Sequence, residues 1–366
     1  MTHRVAHVLN SPGRGGVPRV VRALVTHADP GRISPHVFYL KNGRGDDLFE
    51  DLDIPRRVAA SGSKSAAMTE LVGWLDAHRI DILHCHSFRP NLYGRMAGAV
   101  LRPAGLRIVA HYHNDYSDKW TGDALHLERR LAGVTDAGIA VSEAVADHVA
   151  KRVGRVPDVI ENGVDFGRIR GGNRGAGRAR LGIAADELAV GLVGRICRQK
   201  GTDIFVEAAI SVLASLPQVR FLILGDPEEA ALQRLLQDRI VAAGLSGRVT
   251  FAGHRDDMAD CLAALDILAA PSRWEGFGLM LAEAMAAGVP VVATAVGGIP
   301  AVASGAATLI PAEDPEALAL AILALLRDPG RRAAMRAAGL SAAERFDWAM
   351  SATKLDAIYE RIGGGR

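Results

Sequence analysis

Short apolar runs alternate with helical patterns along this chain in two separate blocks. The strand-like runs of the first block are Val5–Leu9, Val37–Leu40, Ile80–Cys85, Ile108–His111, Ala137–Val141 and Val159–Ile160. Those of the second block are Val190–Val193, Arg220–Leu224, Val249–Phe251, Ile267–Ala270, Val289–Ala293 and Thr308–Ile310. Apolar strands that alternate with helices form parallel sheets covered on both faces. The pattern therefore predicts an α/β protein with two doubly wound, Rossmann-like domains.

A glycine- and arginine-rich segment separates the two blocks. It has no hydrophobic periodicity and predicts a linker at residues 167–178. We expect an N-terminal domain over 1–166 and a C-terminal domain over 179–346. The length of 366 residues and the apolar content of 49% allow two hydrophobic cores. Doubly wound sheets bind ligands beyond the carboxyl ends of their strands, so the active site is expected in a cleft between the two domains.

Composition excludes several classes of protein. The formal charge is only +2, which provides no electrostatic footprint for nucleic acid. The three cysteines are widely spaced, which indicates neither a disulfide framework nor a thiolate zinc site. The sequence has no signal-peptide pattern and no apolar run of membrane-spanning length, so a cytoplasmic protein is expected. Arg56, Arg57 and Lys64 offer a possible contact with an anionic membrane, although a solvated loop is the favoured interpretation.

The segment from Pro271 to Gly288 contains two glutamates at a junction between a loop and a helix. Glu275 falls in the predicted loop, and Glu283 falls within the predicted helix. The backbone amides at the helix start, around Gly276, Phe277, Gly278 and Leu279, favour an anion such as a diphosphate. A carboxylate can accept two hydrogen bonds from a vicinal diol. The segment is therefore interpreted as a grip on a nucleotide sugar.

A second basic loop follows the first strand of the second block. Arg195 and Lys200 lie on either side of a predicted turn, where both can approach one diphosphate and replace a metal ion. Lys200 is the only lysine between Lys151 and Lys354, which suggests that a compact ammonium group is needed there. The alternative is a pair of solvated loop charges.

A glycine loop follows the first strand of the chain. Gly13 and Gly15 fit a Gly-x-Gly pattern, but the third glycine of a dinucleotide fingerprint falls on Pro18. Gly15 and Gly16 can still let backbone amides approach a phosphate at the start of a helix. An ordinary tight turn remains the alternative.

Histidines occur in two pairs, His84 with His86 and His111 with His113, each at the end of a predicted strand. The pairs suggest a metal, but no carboxylate or cysteine completes a recognisable zinc spacing, and histidines at strand ends often only form hydrogen bonds. No metal is therefore expected. The functional alternative is that His113 and Asn114 line the cleft beside a sugar.

Two further polar positions follow predicted strands. Asn162 begins an Asn-Gly turn, which is either an ordinary turn or part of the acceptor side of the cleft. Arg255 lies after the strand that ends at Phe251 and can flank a nucleotide base.

Taken together, Gly15–Gly16, His113, the Asn162–Asp165 turn, Arg195 with Lys200, and the E-x7-E element from Glu275 to Glu283 resemble the retaining glycosyltransferases of family 4, with the GT-B fold. The resemblance spans nearly the whole chain. It implies donor binding by the C-terminal domain, acceptor binding by the N-terminal domain, and a final helix at about 347–366 that packs on the N-terminal domain.

The resemblance also implies individual roles. Arg195 and Lys200 would hold the diphosphate, Glu283 the ribose and Glu275 the donor-sugar hydroxyls. Gly16 would approach the phosphates, and His113 would lie near the reacting sugar carbon. The implied enzyme is a metal-independent, retaining hexosyltransferase without a cofactor, using a UDP-sugar or, as the second choice, a GDP-sugar. A nucleotide-sugar epimerase, a phosphorylase and an inactive binding or scaffold protein remain alternatives.

Overall fold

The computed structural model describes residues 2–43, 46–60 and 62–364. The chain divides into two compact units. The first contains Met1–Gly163 together with Trp348–Arg366, and the second is the continuous segment Val164–Asp347. The sequence predicts an N-terminal domain that ends at residue 166 and a C-terminal domain over 179–346, whereas the second unit begins at Val164 and ends at Asp347.

The described part of the first unit contains a seven-stranded parallel sheet with the order β3-β2-β1-β4-β5-β6-β7. Its strands are β1 (His3–Leu9), β2 (Ile33–Tyr39), β3 (Arg56–Val58), β4 (Ile82–His86), β5 (Arg107–Tyr112), β6 (Ala137–Ala140) and β7 (Asp158–Val159). Its helices are α1 (Gly16–His27), α2 (Lys64–Ala77), α3 (Phe88–Ala99), α4 (Gly122–Ala132), α5 (Glu143–Val153) and, from the end of the chain, α15 (Trp348–Gly363). A 3₁₀ turn, Arg102–Ala104, precedes β5.

The described part of the second unit contains a six-stranded parallel sheet with the order β10-β9-β8-β11-β12-β13. Its strands are β8 (Ala189–Val193), β9 (Arg220–Leu224), β10 (Val249–Gly253), β11 (Ile267–Ala270), β12 (Val291–Thr294) and β13 (Thr308–Ile310). Its helices are α6 (Phe166–Arg170), α7 (Arg174–Leu181), α8 (Thr202–Ser215), α9 (Ala230–Ala242), α10 (Met258–Ala264), α11 (Leu279–Ala286), α12 (Ile299–Ala303), α13 (Pro315–Arg327) and α14 (Pro329–Ala343).

Each sheet reverses its strand order once, and the reversal decides where a ligand can bind. In the second unit β8 and β11 are neighbours, although they are far apart in sequence, and the order runs away from them in opposite directions. The crossover loops after these two strands therefore diverge and leave a crevice at their carboxyl ends. The basic loop follows β8 and the glutamate loop follows β11, so the topology brings together the two motifs of this unit.

The apolar strands pack as their sequence predicts. Phe205 of α8 lies edge-on to Phe221 of β9, with ring centroids 5.5 Å apart, in the core of the second unit. In the first unit Val8, Phe38 and Leu83 belong to one buried cluster beneath α2 and α3. The cysteines Cys85, Cys197 and Cys261 are free and buried.

The segment expected to be a linker is mostly helical, which corrects the prediction for residues 167–178. Asp165 caps α6, and Asn173 caps α7 through a hydrogen bond from the amide of Ala176. A Cβ atom at Gly172 or Gly177 would overlap the backbone of α10. The glycines therefore permit close packing between helices, which explains why the segment has no hydrophobic periodicity.

The basic residues considered for membrane contact also lie in regular structure. Arg56 and Arg57 belong to the edge strand β3, which the sequence did not reveal, and Lys64 begins α2. Arg56 donates to the carbonyl of Phe49 at 2.6 Å, and Arg57 pairs with Glu70 at 3.6 Å. The expectation of a loop here is wrong, whereas Arg57 and Lys64 are exposed to solvent as that interpretation requires. In the described part of the chain, no helix has the length and apolar character that a membrane crossing requires.

Candidate active site

The loop after β8 is shaped by glycines and ends beside the loop after β11. Gly194 has a φ of +154°, and the side chain of Lys200 packs over it. A 3₁₀ turn, Arg198–Lys200, follows and ends at Gly201, which has a φ of +65°. A Cβ atom at Gly201 would overlap the carbonyl oxygen of Pro271. The close approach at Gly201 therefore places Lys200 next to the start of the second loop.

Lys200 and Glu275 form an ion pair across these two loops. The Nζ atom of Lys200 lies 2.5 Å from Oε2 of Glu275, and the two side chains are only 19% and 15% exposed. The hydroxyl of Ser272 donates to the same carboxylate oxygen at 3.4 Å, and Gln199 donates to the carbonyl of Trp274 at 3.1 Å. The structure therefore brings together two residues that were predicted to serve different parts of one ligand.

A third loop, after β12, fixes the backbone on which Glu275 is carried. The amide of Gly298 donates to the carbonyl of Glu275 at 3.1 Å. A Cβ atom at Gly297 would overlap that carbonyl oxygen, and one at Gly298 would overlap the carbonyl of Gly276. Sequence reasoning missed both glycines, although a Gly-Gly pair soon after a buried strand is a recognisable turn signal.

The helix α11 begins with an N-terminus that lacks a side-chain cap among the described residues. Gly278 is its N-cap residue, with a φ of +97°, and none of the described side chains caps it. The first amides of a helix have no intrahelical partner, so those at Leu279 and Met280 favour an anion. Phe277 contributes only its backbone, because its buried ring packs edge-on against Phe346 at 5.3 Å.

Glu283 lies in the second turn of α11 and is buried, with 5% of its surface exposed. Its Oε1 atom is 3.4 Å from Nη2 of Arg168. Arg168 belongs to α6, whose N-terminus is capped by Asp165. Sequence analysis singled out Asp165 within a turn but missed Arg168, because the contact joins residues that are 115 positions apart.

The other two predicted cations of this unit are held by carboxylates. Arg195 is half exposed, pairs with Glu228, and donates to Gln199 at 3.2 Å. Arg255 pairs with Asp257 through two hydrogen bonds of 2.8 and 2.7 Å. Hydrogen bonding from Arg255 lowers the pKa of Asp257 to about 2. Their proposed contacts with diphosphate and base remain predictions.

In the first unit, the predicted glycines lie at the exposed start of α1. Gly15 is its N-cap residue, and a Cβ atom added at Gly16 would meet no described atom within 4 Å. The helix therefore presents backbone amides to solvent, as the phosphate interpretation requires. Whether they bind phosphate remains a prediction.

His113 follows β5 and lies in a group of histidines. Its Nε2 atom is 3.1 Å from Nδ1 of His86, and its amide donates to the hydroxyl of Tyr116 at 3.2 Å. Burial lowers the pKa of His113 to about 3, so the ring is neutral at neutral pH. Asn114 accepts a hydrogen bond from the amide of Asp115. Asn162 is buried, and the next residue, Gly163, lies so close to Trp348 that an added Cβ atom would overlap its backbone.

The two parallel sheets place the protein in a known fold class. The structure superposes on Anabaena HepE in complex with UDP-glucose with a TM-score of 0.85, at 25% identity, covering 99% of each chain. The fold is that of the GT-B glycosyltransferases.

Sequence comparison identifies the family. The model of the glycosyl transferases group 1 matches residues 187–328, and that of Glycosyltransferase Family 4 matches residues 14–168. The lipopolysaccharide core biosynthesis mannosyltransferase LpsB of Rhizobium meliloti is 36% identical over 266 residues, which cover 70% of this chain and 73% of that protein. The D-inositol 3-phosphate glycosyltransferase of Segniliparus rotundus is 36% identical over 328 residues, which cover 84% of this chain and 71% of that protein. The chain belongs to glycosyltransferase family 4, and the protein is a glycosyltransferase.

Proposed function

We propose that this glycosyltransferase moves a hexosyl group from a nucleotide diphosphate sugar to a hydroxyl group of its acceptor, with retention of configuration and without a divalent cation. UDP is the proposed nucleotide. The observation that carries the proposal is the Lys200–Glu275 pair beside the uncapped start of α11. It combines a cation and helix amides for a diphosphate with a carboxylate for sugar hydroxyls.

Each of these groups has a proposed part in donor binding. The diphosphate takes the ammonium group of Lys200 and the amides at Leu279 and Met280. Glu275 then accepts hydrogen bonds from the sugar, and Glu283 accepts them from the ribose. The loop after β12 supports this arrangement, because the amide of Gly298 holds the carbonyl of Glu275. The unit Val164–Asp347 is therefore the proposed donor-binding unit.

Transfer breaks the bond between the anomeric carbon and the phosphate oxygen while the acceptor oxygen bonds to the same face of that carbon. The acceptor proton passes to the departing phosphate oxygen, so charge and atoms balance. Lys200 stabilises the negative charge that develops on the leaving diphosphate. Its ammonium group takes the part that a metal ion plays in other phosphate sites, which supports metal independence.

The comparisons support a more specific proposal for the donor than for the acceptor. The HepE structure contains UDP-glucose. The names of the two relatives indicate different products, since one acts in lipopolysaccharide core biosynthesis and the other on D-inositol 3-phosphate. We therefore propose the acceptor only as a class, namely a hydroxyl of a small molecule, a glycan or a lipid-linked sugar. The first unit is the proposed acceptor-binding unit.

A panel of UDP-, GDP- and ADP-sugars tests the proposal. A ligand at about 100 times its Kd adds about 2.7 kcal/mol to stability, which raises the melting temperature by several degrees. We expect this shift with UDP-sugars and with UDP. Failure of every nucleotide diphosphate to stabilise the protein would overturn the proposal.

Product analysis with the matching donor separates the reaction classes. We expect an acceptor-dependent product with the anomeric configuration of the donor, observed by NMR. Conversion of the donor alone would indicate an epimerase, and dependence on inorganic phosphate would indicate a phosphorylase. Either outcome would overturn the proposed transfer, as would an inverted product for the retaining mechanism.

A further inference from the structure

Five histidines lie together in the first unit, four within three neighbouring strands and one directly after the third of these strands. His7 of β1 is the register partner of His84 in β4, and His86 of β4 is the partner of His111 in β5. His113 follows two positions after His111, so it points to the same face. The rings of His84 and His86 are 4.1 Å apart, as are those of His111 and His113. The sheet therefore stacks five imidazoles side by side.

These imidazoles are neutral and offer lone pairs. His7, His84, His86 and His111 are buried, and burial disfavours the charged form of an imidazole. A neutral imidazole is the form that binds a metal ion.

One of these rings has no hydrogen-bond partner among the residues that the structure describes. His111 is 1% exposed, and neither of its ring nitrogens is hydrogen-bonded to any described residue. A buried polar atom without a partner is costly, so a ring with two such atoms indicates a missing ligand.

We propose that His86, His111 and His113 bind a first-row transition-metal ion such as Zn²⁺. One nitrogen from each of the three lies within 4.8 Å of the others. Nδ1 of His86 and Nε2 of His113 are 3.1 Å apart. Two ligands of a tetrahedral zinc ion at about 2.0–2.1 Å lie roughly 3.4 Å from each other, so this separation fits a shared ion. Imidazole nitrogens also suit Ni²⁺ and Cu²⁺.

A hydrogen bond with His7 orients the proposed ligand His86. Nε2 of His86, the nitrogen that faces away from the proposed ion, is 3.0 Å from Nδ1 of His7. A hydrogen bond at the second ring nitrogen fixes the tautomer and the ring orientation of a metal-bound histidine. His7 is therefore an outer partner of the site.

In a second set of three histidines, His7, His84 and His86, one nitrogen from each ring also lies within 4.8 Å of the others. All three are buried, whereas His113 in the proposed set is partly exposed. A divalent ion enclosed by neutral ligands alone suffers a large desolvation cost. Because His113 is partly exposed, solvent can reach the proposed ion there and water can serve as its fourth ligand. The exposure of His113 favours the proposed set.

Metal binding by the wild-type protein tests the proposal without reference to sugar transfer. The full chain is stripped with a chelator, titrated with Co²⁺ or Zn²⁺, and freed of excess metal by gel filtration. We expect one ion per chain by elemental analysis, the visible absorption bands of tetrahedral Co²⁺, and a higher melting temperature. Absence of a retained ion in the folded wild-type protein would overturn the proposal, and the histidines would then form only a hydrogen-bonded row.

Matched variants locate the ion. His111→Gln removes a proposed ligand, and His84→Gln makes the same change at a neighbouring ring outside the proposed set. A third variant, His27→Gln, changes an exposed histidine at the end of α1. We expect loss of the Co²⁺ bands in His111→Gln only, with circular dichroism confirming that the variants are folded. Retention of the ion by His111→Gln, or its loss in His84→Gln alone, would assign it elsewhere and overturn the proposed set.

Discussion

The ammonium nitrogen of Lys200 lies 2.5 Å from Oε2 of Glu275, so the two residues proposed to hold the donor neutralise each other before it arrives. Each is mostly shielded from water, and an unpaired charge there would be unfavourable. The proposed donor has a new partner for each residue: its diphosphate can pair with the ammonium group of Lys200, and its sugar hydroxyls can donate hydrogen bonds to the carboxylate of Glu275. If the two residues have the proposed roles, donor binding is an exchange of partners.

We predict that Lys200→Ala lowers turnover about 100-fold or more, because it removes the cation that stabilises the leaving diphosphate. Steady-state kinetics with saturating donor measure this change. Lys354→Ala is the matched control, since Lys354 is an exposed lysine on α15. Lys200→Arg separates charge from shape, and we expect it to recover only part of the loss because a guanidinium is wider than an ammonium group. Normal turnover in Lys200→Ala would contradict the assigned role.

We predict that Glu283→Ala weakens binding of UDP by about 1–3 kcal/mol, the usual cost of losing hydrogen bonds to a charged group. Calorimetry with UDP and with a 2′-deoxy or 3′-deoxy analogue tests the ribose assignment directly. At least one analogue should bind more weakly than UDP to the wild-type protein, and that difference should shrink in the variant. Glu207→Ala, which breaks a surface pair with Arg239, serves as the control. A difference of the same size in both proteins would place the ribose elsewhere.

We predict that Gly297→Ala reduces donor affinity as well as stability. Its φ is +51°, and a Cβ atom there would overlap the carbonyl of Glu275. Gly305→Ala is a closely matched control, because Gly305 has a φ of +80° and its added Cβ would meet no described atom within 4 Å. Both changes carry the backbone cost of about 1–2 kcal/mol. Only Gly297→Ala should also weaken UDP binding, and equal affinities in the two variants would show that the loop does not position Glu275.

We predict that added Mg²⁺ or Mn²⁺ changes turnover less than about twofold, because Lys200 and the helix amides supply the positive field at the diphosphate. Both ions prefer oxygen ligands, so they are poor occupants of the proposed histidine site. Initial rates with and without each ion measure the effect. A strict requirement for either ion would contradict a metal-independent transfer.

We predict that the stability of the first unit falls as the pH drops below the ordinary histidine pKa. Burial lowers the pKa of His7 from 6.5 to about 3, so the unfolded chain binds a proton there before the folded one does. Stability from this neutral ring is complete above pH 6.5 and is lost between pH 6.5 and 3, at about 1.4 kcal/mol per pH unit.

Denaturation of metal-free wild-type protein and of His7→Gln at pH 7.5 and pH 5 isolates this contribution, because all other titrating groups are common to both. The variant should lose less stability on acidification. Equal losses in the two proteins would show that His7 is not buried in its neutral form.

The sequence predicts the domain class well because buried parallel strands are local apolar runs. The sequence does not predict the edge strand β3, because two of its three residues are Arg56 and Arg57 and only Val58 is apolar. The segment at 167–178 was misread because its glycines serve contacts with α10 that no local pattern reveals. Local propensity cannot identify contacts made across such separations.

The residues of the proposed site were predictable as types and positions, but their partners were not. Glu275 and Lys200 are 75 positions apart, and only the adjacency of β8 and β11 makes them neighbours. The same holds for Arg168 beside Glu283. Spacing along the chain identifies candidate groups, whereas strand order decides which of them meet.

The position of α15 has a consequence for synthesis of the protein. The second unit is continuous in sequence, whereas the first needs Trp348–Gly363, where the hydroxyl of Tyr359 lies 2.6 Å from Nδ1 of His84. The ribosome synthesises the whole of the second unit before it synthesises this helix. The first unit is therefore completed after the second, although its synthesis starts earlier. Until α15 has been synthesised, His84 lacks its contact with Tyr359.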